Sequence, residues 1–432
     1  MRVSRRALLA GAGALAGGAL LGACSEDDGG AKAGSSSVAP GELTGEISVL
    51  NPGFATDDQK KVWDQMVAAF NKTAPNVKVT TDFTDYGKLN EKITTALAGN
   101  LVPDVLMTGV GWIPPFAYKG VYAEFDQALI EGRTYADRVL ETCKFEDKLY
   151  AIPFTQDTRS LIGNKSLWDK AGITTPPKTF ADFRDACKEL TSGSGANKQW
   201  GFIINSSGSA RQILATFLGA NNGAMFSPDG KTPLFTSPEC TEALQLLVDI
   251  IKDGSSSWDI KPAEGSPHPF LGGKFGISFC PSSAWPTWSE ANAELLKPEN
   301  SILFHAQNKR ESTFLGGTMM SRSKTSKNAA AADEFIRIMT DTESIRMACE
   351  SLNTVPPLQS ALEASETLSG NRLIKEGLDG LQFASFEGGS AAWLEIRGQL
   401  DPILEEALIL KTEVPVALEK AQKMAQDAID QL

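Results

Sequence analysis

The chain has 432 residues, with 41 basic against 53 acidic side chains and a formal net charge of −12; so acidic a surface repels polyphosphate and excludes nucleic acid as a partner. Two histidines, His268 and His305, with no HExxH and no GxSxG, leave little room for Ser-His-Asp or zinc chemistry. The length exceeds a single ordinary hydrophobic core and implies two lobes.

At the N-terminus, Arg2, Arg5 and Arg6 precede an uncharged run of Ala, Leu and Gly from Ala7 to Ala23. That order, basic then apolar then small, is the layout of an export signal. The run is 17 residues with five glycines, too short and too flexible for a permanent span. Its end, Leu-Gly-Ala-Cys24, resembles the lipobox of bacterial lipoproteins, which implies cleavage before Cys24 and a lipid on its thiol. Residues 1–23 are then a signal peptide. Its Ser4-Arg5-Arg6 opening partly resembles a twin-arginine signal, so the export route stays open. Losing the three arginines takes the mature charge to −15. Residues 24–45 are small and polar, unable to bury a core, and read as a leash between lipid and folded body. The expected location is the outer face of the cytoplasmic membrane, with Cys24 as the anchor.

Glu46–Asn51 alternates like a strand and meets a Pro52-Gly53 turn. Asp57–Asn71 has Val62, Met66, Ala69 and Phe70 on one helical face. Asn76–Phe83 is a second strand. Tyr86–Ala98 is a helix through Leu89, Ile93 and Leu97, stopped at Gly99. Asp104–Thr108 is a short buried strand. Further on, strands are expected at 150–155, 200–204, 275–280, 301–305 and 318–321, and helices at 179–190 and 238–252. Most of the chain after Ala329 reads as helix. This alternation predicts α/β lobes.

Past Cys24, the cysteines Cys143, Cys187, Cys240, Cys280 and Cys349 include no CxxC. An odd count leaves at least one unpaired, and buried apolar thiols are the plain expectation. GKT at Gly230–Thr232 has Met225 where a phosphate loop needs glycine, and SxxK at Ser321–Lys324 lacks its companion motifs. No metal or cofactor is expected.

Several segments together carry a family resemblance. AAFNKTAPNVKVT, LNEKITTALAGNLVPDVLMTG and FAYKGVYAEFDQ resemble the first lobe of the extracellular solute-binding proteins of ABC importers. YAIPFTQDTRSLIGNKSLWDKAGITTPPKTFADFRDACKEL resembles the crossing into the second lobe. FLGGTMMSRSKTSKNAAAADEFIRIMTDTESIR resembles the return, and AAWLEIRGQLDPILEEAL the C-terminal part of the sugar-binding branch. The resemblance implies a type II periplasmic-binding-protein-like fold, each lobe a mixed sheet flanked by helices, with the ligand cleft between them. It places the first lobe at 46–152 and 318–354, the second at 158–312 and 358–432. Hinges fall near 153–157, 315–318 and 355–357. The implied function is capture of a sugar, an oligosaccharide by preference, by cleft closure, and delivery to ABC permease subunits. The protein would be a monomer and not an enzyme.

Sugar recognition needs aromatic faces for the C–H face and planar polar groups for the hydroxyls. Of eight tryptophans, Trp63, Trp168 and Trp200 lie in core patterns. Trp112 and Trp285 follow the carboxyl ends of strands, where open α/β sheets bind ligands. The resemblance puts a stacking aromatic at Trp393. Trp258 and Trp288 rank behind these three. Polar candidates are Asp157 and Gln156 at the first crossing, Asn51 after the first strand, Asp85 and Tyr86 after the second, Ser209 and Arg211, and Arg397 one turn beyond Trp393. Gly316 and Gly317 complete the set at the return crossing. Two alternatives stay open: a tethered glycan-cleaving enzyme, and the same fold holding a polyamine or a phosphorylated polyol.

Overall fold

In the computed structural model the first elements form for local reasons. The structure describes residues 38–204, 210–260 and 268–432, all within one compact unit. The signal, Cys24, most of the leash and Ser209 lie outside the described residues. Strand β1 (Thr44–Asn51) leads to helix α1 (Asp57–Thr73), started by a capping box between Thr56 and Gln59. One face of α1 buries Trp63, Met66 and Phe70. Strand β2 (Asn76–Phe83) is followed by α2 (Tyr86–Ala98), and β3 (Val105–Gly109) by α3 (Ile113–Tyr118).

Strand β4 runs without a break from Ile152 to Asn164. After it come β5 (Trp200–Phe202), α4 (Ala210–Ala220), α5 (Pro238–Lys252), β6 (Phe275–Pro281) and β7 (Ser301–Phe304). Strand β8 (Phe314–Arg322) then returns along β4. The remaining helices include α6 (Ala329–Met339), α7 (Thr342–Leu352), α8 (Arg372–Gly380), α9 (Trp393–Leu408) and α10 (Val414–Ile429). Among the described residues, no helix is long and apolar enough to cross a membrane.

The sheet order is β2-β1-β3-β8-β4-β6-β5, with β7 also paired to β4. The first three strands are parallel; β8 is antiparallel to both β3 and β4. The two long strands carry hydrogen bonding from one half of the sheet into the other. Beneath the sheet the apolar residues divide. One cluster holds Trp63, Phe116, Phe154, Leu315 and Phe335; a second holds Trp168, Phe202, Phe217, Trp393 and Leu404; a smaller third surrounds Phe270 and Trp288. Leu358, Leu362, Leu368 and Ile374 join the first cluster.

Gly316 and Gly317 sit inside β8, opposite Asp157 and Gln156, and not in a loop before it. Gly317 has φ +133°, and a Cβ there would lie 2.8 Å from the Gln156 Cα. Only glycine meets both demands. At the same level Val355 exchanges backbone hydrogen bonds with Gln156, at 2.9 and 2.8 Å. Three passages of the chain therefore meet at one residue.

All five described cysteines are free and buried. Burial pushes the Cys143, Cys240 and Cys349 thiols up to about 12 and raises Cys187 and Cys280 as well. They are inert core thiols.

His305 is also buried, edge-on to Phe383 at 4.9 Å, and burial lowers its pKa to about 4. Glu376 Oε1 lies 3.5 Å from its Nδ1, which by itself would favour the cation. Burial wins, because the same burial raises Glu376 and weakens it as a counter-ion. The unfolded chain takes up this proton near pH 6.5, the folded one only near 4. Stability is thus full above 6.5 and falls as pH drops toward 4, by on the order of 3 kcal/mol. Urea unfolding at pH 7 and pH 5 measures the fall, and His305→Phe should flatten it.

Candidate functional site

The carboxyl ends of β2, β3 and β6, with the middle of β4, bring the polar candidates together. Asp157 is the centre. Its Oδ1 accepts hydrogen bonds from Ser282 Oγ at 2.9 Å and Ser283 Oγ at 3.2 Å, in the turn after β6. Arg159 Nε stands 3.8 Å from its Oδ2. Arg159 in turn donates to Gln212 at 2.6 Å and lies over the Phe314 ring at 4.8 Å.

Tyr86 opens α2. The residue is 41 % exposed, yet its hydroxyl meets Thr318 Oγ1 at 2.5 Å. Burial of that hydroxyl raises its pKa to about 12; the Thr318 bond opposes the shift and the Asp157 charge adds to it. It stays protonated, a donor or acceptor for a neutral partner. Asp85 is committed to the helix itself, accepting from Lys88 N–H at 3.1 Å.

Trp112 follows β3, as the strand-end rule expects. The Arg397 guanidinium lies 5.3 Å above its ring, a cation–π contact between an aromatic of the first cluster and a helix of the second. Burial pulls Arg397 below the usual guanidinium value, while Glu387 and Asp401 partly restore it. Arg211 is held by Glu387, 2.6 Å from its Nε, and by Asp401. Glu387 and Asp401 were not legible beforehand, being 176 and 190 residues from Arg211. Ser282 and Ser283 were not picked out either, although they follow β6 by the same strand-end rule that picked out Trp285.

Other candidates stand apart from this cluster. Trp393 is 0 % exposed, edge-on to Phe226 at 6.0 Å. A Cβ on Gly111 would come within 2.7 Å of its Nε1. In this conformation its face is covered by protein. Asn51 is buried and its Oδ1 accepts from Gly53 N–H at 2.9 Å, so it builds the turn after β1. The Gln156 side chain is 0 % exposed, and strand alternation points it away from Asp157. Trp285 packs at the edge of the third cluster. Trp258 donates to Glu405, and Trp288 stacks on His268 at 4.4 Å, so both are packing residues.

A cavity of about 1030 Å³ lies elsewhere, between elements of the first and second clusters. Val110, Phe145, Phe226, Arg310 and Phe386 are among its walls, and among the described residues none of the expected ligand candidates lines it.

Comparison with known proteins follows the same lines. Residues 56–345 match the family model of the bacterial extracellular solute-binding proteins. The chain is 25% identical over 363 residues, 80% of its length and 79% of the relative's, to the diacetylchitobiose binding protein DasA of Streptomyces coelicolor. Its fold superposes on the GacH receptor of Streptomyces glaucescens, with TM-score 0.72, 21% identity, and 90% and 99% of the two chains covered. It also superposes on the sugar-binding protein MalE of Xanthomonas citri, with TM-score 0.77, 17% identity, and 90% and 98% covered. These likenesses fix a type II periplasmic-binding-protein fold. With the family model matching well over half of its length, the chain belongs to the bacterial extracellular solute-binding proteins.

Proposed function

We propose that this protein captures an uncharged oligosaccharide between two lobes and delivers it to the permease of an ABC importer. One observation carries the reading: aromatic and polar side chains converge from both halves of the chain. Trp112 and Tyr86 come from the first half; Ser282, Ser283 and Arg397 come from the second; Asp157 stands on the strand that joins them. Such a site is half-built until the halves meet, so a ligand that touches both favours closure by its differential affinity. The lobes would comprise 46–152 with 318–354 and 158–312 with 358–432, turning about 153–157, 315–318 and 355–357. Of the second lobe's residues, Leu358, Leu362, Leu368 and Ile374 pack against the first cluster.

A phosphorylated polyol is less well served, because Arg211 is already neutralised by two carboxylates. Binding requires no covalent step, which suits a chain with two histidines. A thermal-shift screen of residues 25–432 against saccharides, polyamines and glycerol phosphates tests the reading. A ligand at 100 times its Kd adds about 2.7 kcal/mol of stability. The expected result is a shift with one saccharide series, recovered intact. A shift with glycerol phosphate alone, or a sugar recovered cleaved, overturns the proposal.

The volume of the 1030 Å³ cavity favours a second placement of the same ligand, since pockets of that size hold small molecules.

The anchor is the lipidated Cys24, supported by the small-residue run before it and the polar leash after it. Cys24→Ala should move the protein from the membrane fraction to the medium or the soluble exported fraction, read by immunoblot. Retention of all of it on the membrane would point to an uncleaved signal.

A further inference from the structure

We propose that Gly111 sets ligand affinity by leaving room for the second half of the chain to close against the first. The inference rests on the closure reading above and names a positioning residue for it. Gly111 lies in a short helical turn, Val110–Trp112, between β3 and α3. Its φ is not positive, so its own backbone admits any L residue. The turn therefore does not require glycine, as φ does at Gly317. What requires it comes from the other half. A Cβ on Gly111 would lie 2.7 Å from Trp393 Nε1, 2.9 Å from Trp393 Cδ1 and 2.8 Å from the Glu387 carbonyl oxygen, and these are its three nearest atoms. Gly388 completes the approach: it has φ +104°, and a Cβ on it would stand 3.1 Å from the Gly111 Cα. Backbone meets backbone across this seam.

The wall opposite Gly111 is held by its own half. Glu387 is pinned through its carboxylate to Arg211 on α4, and Trp393 is fully buried, edge-on to Phe226. A methyl closer than 3.0 Å to such atoms forces something to shift, and a packed wall resists. The easier response is for the halves to part. The seam belongs to the ligand cluster: Trp112 follows Gly111 directly, and Arg397, one turn along α9 from Trp393, lies over the Trp112 ring. A methyl at position 111 is thus a doorstop against closure that leaves each half folded. It acts on the ligand through the position of Trp112 relative to α9.

The test counts closed molecules without a ligand. Tyr118, at the end of α3, and Leu432, beyond α10, come from opposite halves and are 47 % and 48 % exposed. They touch through the Tyr118 hydroxyl and the Leu432 carbonyl at 2.8 Å. In residues 25–432 carrying Tyr118→Cys and Leu432→Cys, a short bismaleimide joins the pair when the halves meet. The rate of joining follows the closed fraction even where that fraction is small. The native thiols described above are buried and do not compete. Adding Gly111→Ala should slow joining about threefold or more and leave Tm within about 3 °C. Gly398→Ala, on the exposed side of α9 with open space at its Cβ, is the control and should change neither. An unchanged joining rate overturns the proposal. So does a larger fall in Tm, because the methyl would then be straining the fold and not the seam. In parallel, the Kd for maltotriose and for diacetylchitobiose is measured by titration. If either binds, Gly111→Ala should weaken it about tenfold, and an unchanged Kd also overturns the proposal. If neither binds while joining slows, the role of the seam stands and those two ligands fall.

Discussion

Arg211→Met should lower folding stability by about 3–5 kcal/mol, the cost of removing one partner from a buried ion pair. Arg211 is 9 % exposed at its side chain and lies between Glu387 and Asp401. Without it, the 12 % exposed Glu387 carboxylate keeps its burial and loses its counter-ion, and the two acids face each other. The backbone N–H of Arg211, which donates to Asp401 at 3.1 Å, survives the change and does not compensate. At the size of this chain the fall in Tm is about 5 °C. Denaturant unfolding with the triple change Arg211→Met, Glu387→Gln and Asp401→Asn is the control. The neutralised trio should recover most of the loss, because the charges and not the shape are at fault. A single-variant loss below about 1 kcal/mol would mean that solvent reaches the acids and the network is a surface one.

This network also shows where the sequence was readable. The span of α2, Tyr86–Ala98, was expected residue for residue, and so was that of α5, since both follow local periodicity with a local cap at Asp85 and Ser237. Helix α4 was not foreseen. Nearly every residue from Ala210 to Ala220 is buried, so no polar face alternates with an apolar one and no period stands out. Strand β4 is longer than its own pattern suggests because β8, β6 and β7 extend it by pairing. At the site, Trp112 and Asp157 were legible from strand ends and the first crossing. The face of Trp393 depends on the approach of Gly111, some 280 residues earlier in the chain, and no local signal encodes that contact. Gln156 looked like its neighbour Asp157 in the sequence; only the two-residue period of a strand, placed in its register, separates them.

The position of the ligand decides the last prediction. If the sugar lies at the Asp157 cluster, Asp157→Ala should weaken binding roughly a hundredfold, the worth of a charge-assisted hydrogen bond in a desolvated site. Phe386→Ala should then leave Kd within about threefold, because Phe386 belongs to the cavity wall and makes none of the hydrogen bonds around Asp157. If the sugar lies in the cavity, the pattern inverts: loss of an aromatic face costs the binding and Asp157→Ala does little. Asp157→Asn separates charge from shape. It keeps an acceptor for Ser282 and Ser283 but removes the charge facing Arg159. An intermediate loss would assign Asp157 to hydroxyl recognition, and a loss as large as that of alanine would assign the effect to its charge. Isothermal titration with the saccharide found in the screen gives all four constants. Urea unfolding of each variant confirms that the comparison is made between folded proteins. The two placements make opposite demands on the same pair of residues, so one set of titrations is enough to choose between them.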